Sequence, residues 1–314
     1  MDKVACKQAI CEELIKLAKK DKDIVVLTGD SRGSASMTEF ARQLPEQFVE
    51  VGIAEQNLVG IAAGLASAGK KPFIASYASF LTMRSIEQIK VDVAYSNVNV
   101  KVIGISGGIS YGPLGMSHHA LQDIAIMRAI PNMRVYLPAD QHESKKLIEQ
   151  LVKDEKPAYI RVGRNPVENV YDANNFKFQI NRANTLKEGK DITIISCGEM
   201  VQTALSAGKI LQNEGINAKV IGIHSIKPLD EEAILEAAKE TGCILTLEEH
   251  SIYGGLGSAV AELLSQKNQV PLKILGLPDE PVITGKPREV FSYYGLDVDG
   301  VIKSVKNLLS KKVK

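Results

Sequence analysis

An α/β protein of two parallel-sheet domains is predicted from three features of the sequence. Short unbroken apolar runs, IVVLTG, KPFIASYA, VKVIGI and DITIISCG among them, recur along the chain, and strands buried on both faces of a parallel sheet read in this way. Segments with apolar residues at helical spacing separate the runs, giving the alternation of a sheet covered by helices on both faces. The chain has 314 residues, enough for two cores, and a polar stretch around Tyr171 to Asn175 interrupts the alternation.

In order, the pattern predicts a helix over residues 3–20, a strand at IVVLTGD, a polar helix over 37–43 and a short strand over 48–53. An Ala/Gly/Leu helix over 57–68 carries no charge on any face and is expected to be buried all round. KPFIASYA, a helix over 84–94 and VKVIGIS follow, then a glycine-rich segment that stays irregular until Gln122. MRVYLPAD, a helix over 141–153 and PAYIRVGR close a first domain, placed at residues 1–166. Residues 167–189 lack apolar periodicity and read as a linker. A second domain, residues 190–314, repeats the alternation: DITIISCG, a helix over 201–214, NAKVIGIHS, a helix over 230–241, CILTLEEH, a helix over 257–266 and LKILGL.

The formal net charge of +1 gives no global field toward nucleic acid or an anionic membrane, and no run of eighteen apolar residues spans a bilayer. The charged N-terminal segment MDKVACKQAICEELIKLAKK lacks the apolar stretch of a signal peptide. Cys6, Cys11, Cys197 and Cys243 form no CxxC pair, which argues against zinc and against a disulfide scaffold, so a cytoplasmic setting is expected.

Within VGIAEQNLVGIAAGLA the acidic Glu55 stands at the start of the uncharged helix. Scarce water favours the protonated form, so Glu55 is expected to share its proton with a ligand or a neighbour; capping the helix is the alternative. Tyr77 and Phe80 follow KPFIASY in a chain without tryptophan, and they either pack in the core or offer faces to a flat ring. The loop GISGGISYGPLGMSHHALQD lies at the carboxyl end of a strand, where α/β proteins place ligands, and it carries His118 and His119. Arg164, with Arg161 beside it in RVGRN, could grip a phosphate or carboxylate or form a salt bridge. GGLG before the helix at residue 257 looks like a phosphate loop but lacks its lysine.

GIAEQNLVGIAAGLA, SYASFLTMRSIEQIKVDVAY, YGPLGMSHHALQDIAIMRAIPNM, LPAD, KPLD, EEHSIYGGLGSAVAE and FSYYGL, in this order and spacing, resemble the transketolase superfamily of thiamine diphosphate enzymes. The resemblance runs from about Lys3 to about Leu309 and covers the pyrimidine-binding domain followed by the transketolase C-terminal domain, as in the short C-terminal subunit of a split transketolase. It implies that Glu55 hydrogen-bonds N1′ of the aminopyrimidine and so lets the exocyclic nitrogen take the proton from thiazolium C2. It further implies that Tyr77 and Phe80 line the pyrimidine and that His118, with His119 beside it, contacts the reacting carbonyl. Arg164, Ser34 and Lys3 match or lie near groups that bind the sugar phosphate.

Ser106 replaces a substrate-side histidine of the family and Leu114 an aspartate, which departs from the ordinary pentose-phosphate pattern. The family's GDG…Asn signature for the metal-bridged diphosphate has only Gly29, Asp30, Ser31 and Asn57 as a near match. The resemblance therefore implies no metal ligands in this chain. It implies thiamine diphosphate and magnesium shared with an N-terminal subunit that carries the diphosphate domain, in an α2β2 heterotetramer acting on a ketose donor and an aldose acceptor. A 2-oxo-acid dehydrogenase beta subunit, a deoxyxylulose-phosphate-synthase-like enzyme and a non-catalytic assembly subunit are the alternatives.

Overall fold

A computed structural model describes residues 3–173 and 175–312. The first half runs α1 (Cys6–Ala18), β1 (Ile24–Thr28), α2 (Thr38–Gln43), β2 (Phe48–Glu50), α3 (Glu55–Ser67), β3 (Lys71–Tyr77), α4 (Ala78–Arg84), α5 (Ile86–Gln88), a π-helical segment (Ile89–Tyr95), β4 (Lys101–Ile105), α6 (Asp123–Ala129), β5 (Arg134–Tyr136), α7 (Gln141–Leu151) and β6 (Ala158–Arg161). The second half runs β7 (Asn184–Lys187), β8 (Ile192–Ser196), α8 (Val201–Asn213), β9 (Ala218–Gly222), β10 (Ser225–Lys227), α9 (Glu231–Thr241), β11 (Ile244–Ser251), α10 (Leu256–Lys267), β12 (Leu272–Leu277), α11 (Pro287–Tyr293) and α12 (Val298–Lys312). Every residue of β1, β4, β8 and β9 is buried, the condition that their largely apolar sequences anticipate, and Lys101 and Lys219 are buried with them.

Two sheets form, ordered β10-β5-β6-β4-β3-β1-β2 and β12-β11-β8-β9-β7. They are parallel except at one edge of each, where β10 and β7 run antiparallel. Both exceptions correct the sequence reading. NAKVIGIHS is not one strand: β9 ends at Gly222, and β10 crosses to pair with β5 of the other sheet, so the second half of the chain completes the first sheet. The predicted linker contains β7, and two helix caps pin its backbone. Asp140, the last residue of LPAD, caps α7 through the His142 and Glu143 amides while its other oxygen accepts from Val170 and Tyr171 at 2.8 and 2.9 Å. Asp230, which ends KPLD, caps α9 and accepts from the Ala183 amide at 2.8 Å. Each cap satisfies helix amides and linker amides with one carboxylate.

Two helices also differ from expectation. α3 begins at Glu55 rather than Asn57, and it is not buried all round: Leu58, Val59, Ala62 and Ala63 face the sheet while Gln56, Asn57, Gly64 and Ser67 are exposed. No charge stands on this outer side, but no element of the chain covers it among the described residues. The predicted helix over 84–94 is broken at Ser85, with α4 before it and α5 and the π-helical segment after it, so Arg84 ends a helix instead of starting one.

Candidate functional site

The site gathers at the carboxyl edge of the first sheet, where the segments after β1, β2, β3, β4 and β6 emerge. At one end stands Glu55, only 5% exposed, in the first turn of α3 where the helix N-terminus favours an anion. Its carboxylate accepts from Arg84 Nη1 at 3.2 and 3.3 Å, so its partner here is a cation and not an apolar wall. Ile53, Ala54, Glu55, Gln56, Asn57 and Arg84 line a cavity of about 570 Å³. That volume lies in the range of small-molecule sites. The Arg84 guanidinium lies 4.2 Å from the Phe80 ring centre. A planar group bonded to Glu55 and stacked on Phe80 is therefore already accommodated, and Arg84, with a side chain 51% exposed, has room to leave.

From Phe80 the site continues as a cluster of rings. Phe80 meets His118 edge-on at 5.1 Å and Tyr77 at 5.8 Å, while Tyr111 lies 5.5 Å from Tyr77 and 5.8 Å from His118. Tyr77 and Phe80 are thus neither wholly core nor isolated: both are half-buried around an open centre. Burial, reinforced by the Tyr77 hydroxyl, raises the Tyr111 phenol above its ordinary pKa.

Two cations and a hydroxyl stand at the far end. The Arg164 guanidinium lies over Tyr111 at 4.2 Å, an arrangement that leaves its fork of donors unspent. Tyr77 Oη donates to Ser34 Oγ at 2.6 Å, and Lys7 Nζ donates to the Ser34 carbonyl at 2.6 Å. Burial first and the Arg164 charge second lower the Lys7 ammonium below its ordinary pKa, with Glu199 acting in the opposite sense. Two adjacent cations repel one another until an anion joins them.

The histidine doublet divides. His118 faces the rings, with Nδ1 3.0 Å from Ser117 Oγ. His119 turns inward, 4% exposed, with Nε2 against the Gly112 carbonyl at 3.3 Å, and burial lowers its pKa. The Lys3 ammonium is ion-paired with Glu168 at 2.8 Å, with both side chains about half-exposed. Arg161 is a buried structural cation held by Asp123 at 3.1 Å and by the Glu249 carbonyl at 2.7 Å. The GGLG loop does not offer its amides to a phosphate, because Glu248 takes those of Leu256 and Gly257 at 2.7 and 2.8 Å. Ser106 is buried at a left-handed φ of 56° and Leu114 is exposed in a 3-10 turn.

Sequence reasoning missed Arg84, Tyr111 and Lys7. Lys7 had a signal: a lysine in the first turn of a helix opposes the helix dipole, so its placement asks for another cause. Tyr111 and Arg84 had none beyond standing inside the motifs YGPLGMSHH and SYASFLTMRS that carry the resemblance.

Comparison with known proteins gives the family of the chain. The family model described as transketolase, pyrimidine binding domain, matches residues 2–169, and the one described as transketolase, C-terminal domain, matches residues 181–301. The chain is 50% identical over 308 residues to one of the subunits of an apulose-4-phosphate transketolase from Phocaeicola vulgatus, covering 98% of both chains. It is 38% identical to a 6-deoxy-6-sulfo-D-fructose transketolase subunit of a Clostridium species, covering 95% of this chain and 92% of that one. A solved split-gene transketolase, described as an inactive β4 tetramer, superposes with a TM-score of 0.91 at 39% identity, covering 98% of this chain and 99% of that one. The chain belongs to the thiamine-dependent transketolase family, among the subunits of split transketolases that pair a pyrimidine-binding domain with a C-terminal domain.

Proposed function

We propose that this chain supplies the aminopyrimidine half of a thiamine diphosphate site and, with a second subunit, transfers a two-carbon ketol unit between sugars that carry a terminal anion. One observation carries this reading: a single cleft edge holds a half-sealed carboxylate at one end, a cluster of rings in the middle and a pair of cations at the other. When bound, the cofactor supplies the nucleophilic carbon. Glu55 holds and exchanges a proton with the pyrimidine nitrogen, for which Arg84 gives up the carboxylate. Phe80 offers the flat face that Arg84 covers here. His118, beside that face, donates a hydrogen bond to the reacting oxygen. Lys7, Arg164 and Ser34 hold the distant phosphate or sulfonate, so that binding energy far from the reacting carbon orients it. Apulose 4-phosphate and 6-deoxy-6-sulfofructose, named for the relatives, are both sugars with such an anion.

The diphosphate and its magnesium are assigned to the partner subunit, in a cytoplasmic α2β2 heterotetramer. The open outer side of α3 suits such a partner, and the β4 assembly of the solved relative suits self-association when none is present. The test is a donor–acceptor screen of this chain reconstituted with a subunit carrying the GDG motif, measured beside Glu55→Gln. Turnover of an anionic ketose, with loss of both turnover and C2 deuterium exchange by about 10²-fold or more in Glu55→Gln, is expected. Turnover that survives Glu55→Gln would overturn the reading.

A further inference from the structure

The loop that carries Tyr111 and His118 is rich in glycine, yet it is held in one shape. Its ends are tied by paired hydrogen bonds between Gly108 and Ala120, at 3.0 and 2.8 Å, and by the Gly107 amide on the Val162 carbonyl at 3.0 Å. Those bonds close the excursion without fixing its path. Glycines cost more conformational entropy to order than other residues, so something must select this path.

Selection comes from the other half of the chain. The buried Ile109 amide donates to Glu249 Oε1 at 2.8 Å, across 140 residues of sequence. Glu249 lies in β11 and is itself only 7% exposed. Its carboxylate fills the space beside Gly108, where a Cβ would stand 2.2 Å from Glu249 Cδ and where φ is +64°. At the tip, the Gly285 amide donates to the Gly112 carbonyl at 3.3 Å, and a Cβ on Gly112 would stand 2.0 Å from the Gly285 oxygen. Base and tip of the loop are thus both gripped by the C-terminal domain. Tyr111 and His118 project from the stretch so gripped.

Building on the transfer reaction proposed above, we infer that Glu249 is a positioning residue: it fixes the path of the 107–120 loop so that His118 and Tyr111 meet the ring cluster, and it touches no substrate. An alanine at 249 orphans a buried amide and frees the loop, whereas a glutamine keeps an acceptor in place. In the reconstituted pair, Glu249→Ala should lower kcat by about 10²-fold, the scale of a misplacement near 1 Å. C2 deuterium exchange, which rests on Glu55, should stay within about twofold of wild type, a scale far below the loss expected for an acid–base group. Glu249→Gln should recover most of the lost kcat, and Gly112→Ala, which opens the tip contact instead, should reproduce the loss. Amide hydrogen exchange on the chain alone reads the loop without any turnover: residues 107–120 should lose protection in Glu249→Ala and regain it in Glu249→Gln. A wild-type kcat in Glu249→Ala, equal loss of C2 exchange and turnover, or unchanged protection of the loop would overturn the inference. Loss of loop protection in a pair that turns over no sugar would uphold the positioning role and refute the transfer reaction.

Discussion

Glu199 lies beside Glu249, with its carboxylate in the space left by the missing Cβ of Gly163. Burial first and the Glu249 charge second push its pKa up to about 8 from an ordinary 4.5, against the opposing pull of Arg161, the Gly163 amide and Lys7. A carboxyl raised in the folded state retains a proton that the unfolded chain has lost, so stability falls as pH rises from about 4.5 and levels off above about 8. Glu199→Gln cannot ionise. Denaturant unfolding should find the variant equal to wild type near pH 4 and more stable at pH 9, by roughly 2 kcal/mol, less than the full shift implies because Glu199 keeps some solvent contact. Parallel stability curves would remove Glu199 as the source of that pH dependence. None of this was readable from GEM in the sequence, because both the burial of Glu199 and the nearness of a second glutamate about fifty residues away are set by tertiary packing.

At the scale of elements, the anion end is assembled from the start of α1, the turn after β1 and the end of β6. Parallel strands deliver Ser34 and Arg164 with their carboxyl ends to one edge, and the first turn of α1 brings Lys7 to the same edge. Arg164→Ala and Lys7→Ala should each raise KM for anionic sugars by about 10- to 100-fold, the worth of a charge-assisted hydrogen bond, with little change in kcat and little effect on uncharged analogues. Lys3→Ala, which opens a surface pair with Glu168, should leave KM nearly unchanged. A Lys3→Ala effect equal to that of Lys7→Ala would reverse this assignment. The sequence reading named Arg164, Ser34 and Lys3 for this role; the structure sets Lys7 against the Ser34 carbonyl and pairs Lys3 with Glu168, a choice between neighbouring lysines that spacing alone does not make.

Across the whole molecule, the uncovered side of α3 adjoins Ile53 in the wall of the Glu55 cavity, and Met83, Ile86, Val91 and Tyr95 are exposed along the segments before and after Arg84. Scattered apolar residues need no explanation, but a run of them beside a cavity marks a surface that expects cover. Among the described residues no group of three or more His, Cys, Asp or Glu side chains is placed to hold a metal, and no helix is long and apolar enough to cross a membrane. Calorimetric titration of thiamine diphosphate and magnesium should give weak or no binding to this chain alone and tight binding once the partner subunit is added. Sedimentation should find the lone chain self-associated. Tight metal-dependent binding by the lone chain, with turnover, would refute the division of the site between two subunits.

The sequence by itself determined what local pattern can encode. Unbroken apolar runs marked the strands, and helical periodicity marked the helices, with α7 and α9 starting at the acidic ends of LPAD and KPLD. It also singled out Glu55, Tyr77 with Phe80, and the pair His118 and His119 by residue type in unusual settings, and the resemblance named His118 within that pair. Tertiary structure alone decided that β10 completes the other sheet, that His119 turns inward onto the Gly112 carbonyl, that Arg84 meets Glu55, and that Glu249 fixes Ile109. The physical reason is common to all four: each is a contact between segments whose separation in sequence, or whose choice between two neighbouring residues, leaves no trace in local periodicity, and is settled by which backbone groups remain to be paired and which side chains fit once the sheets have packed.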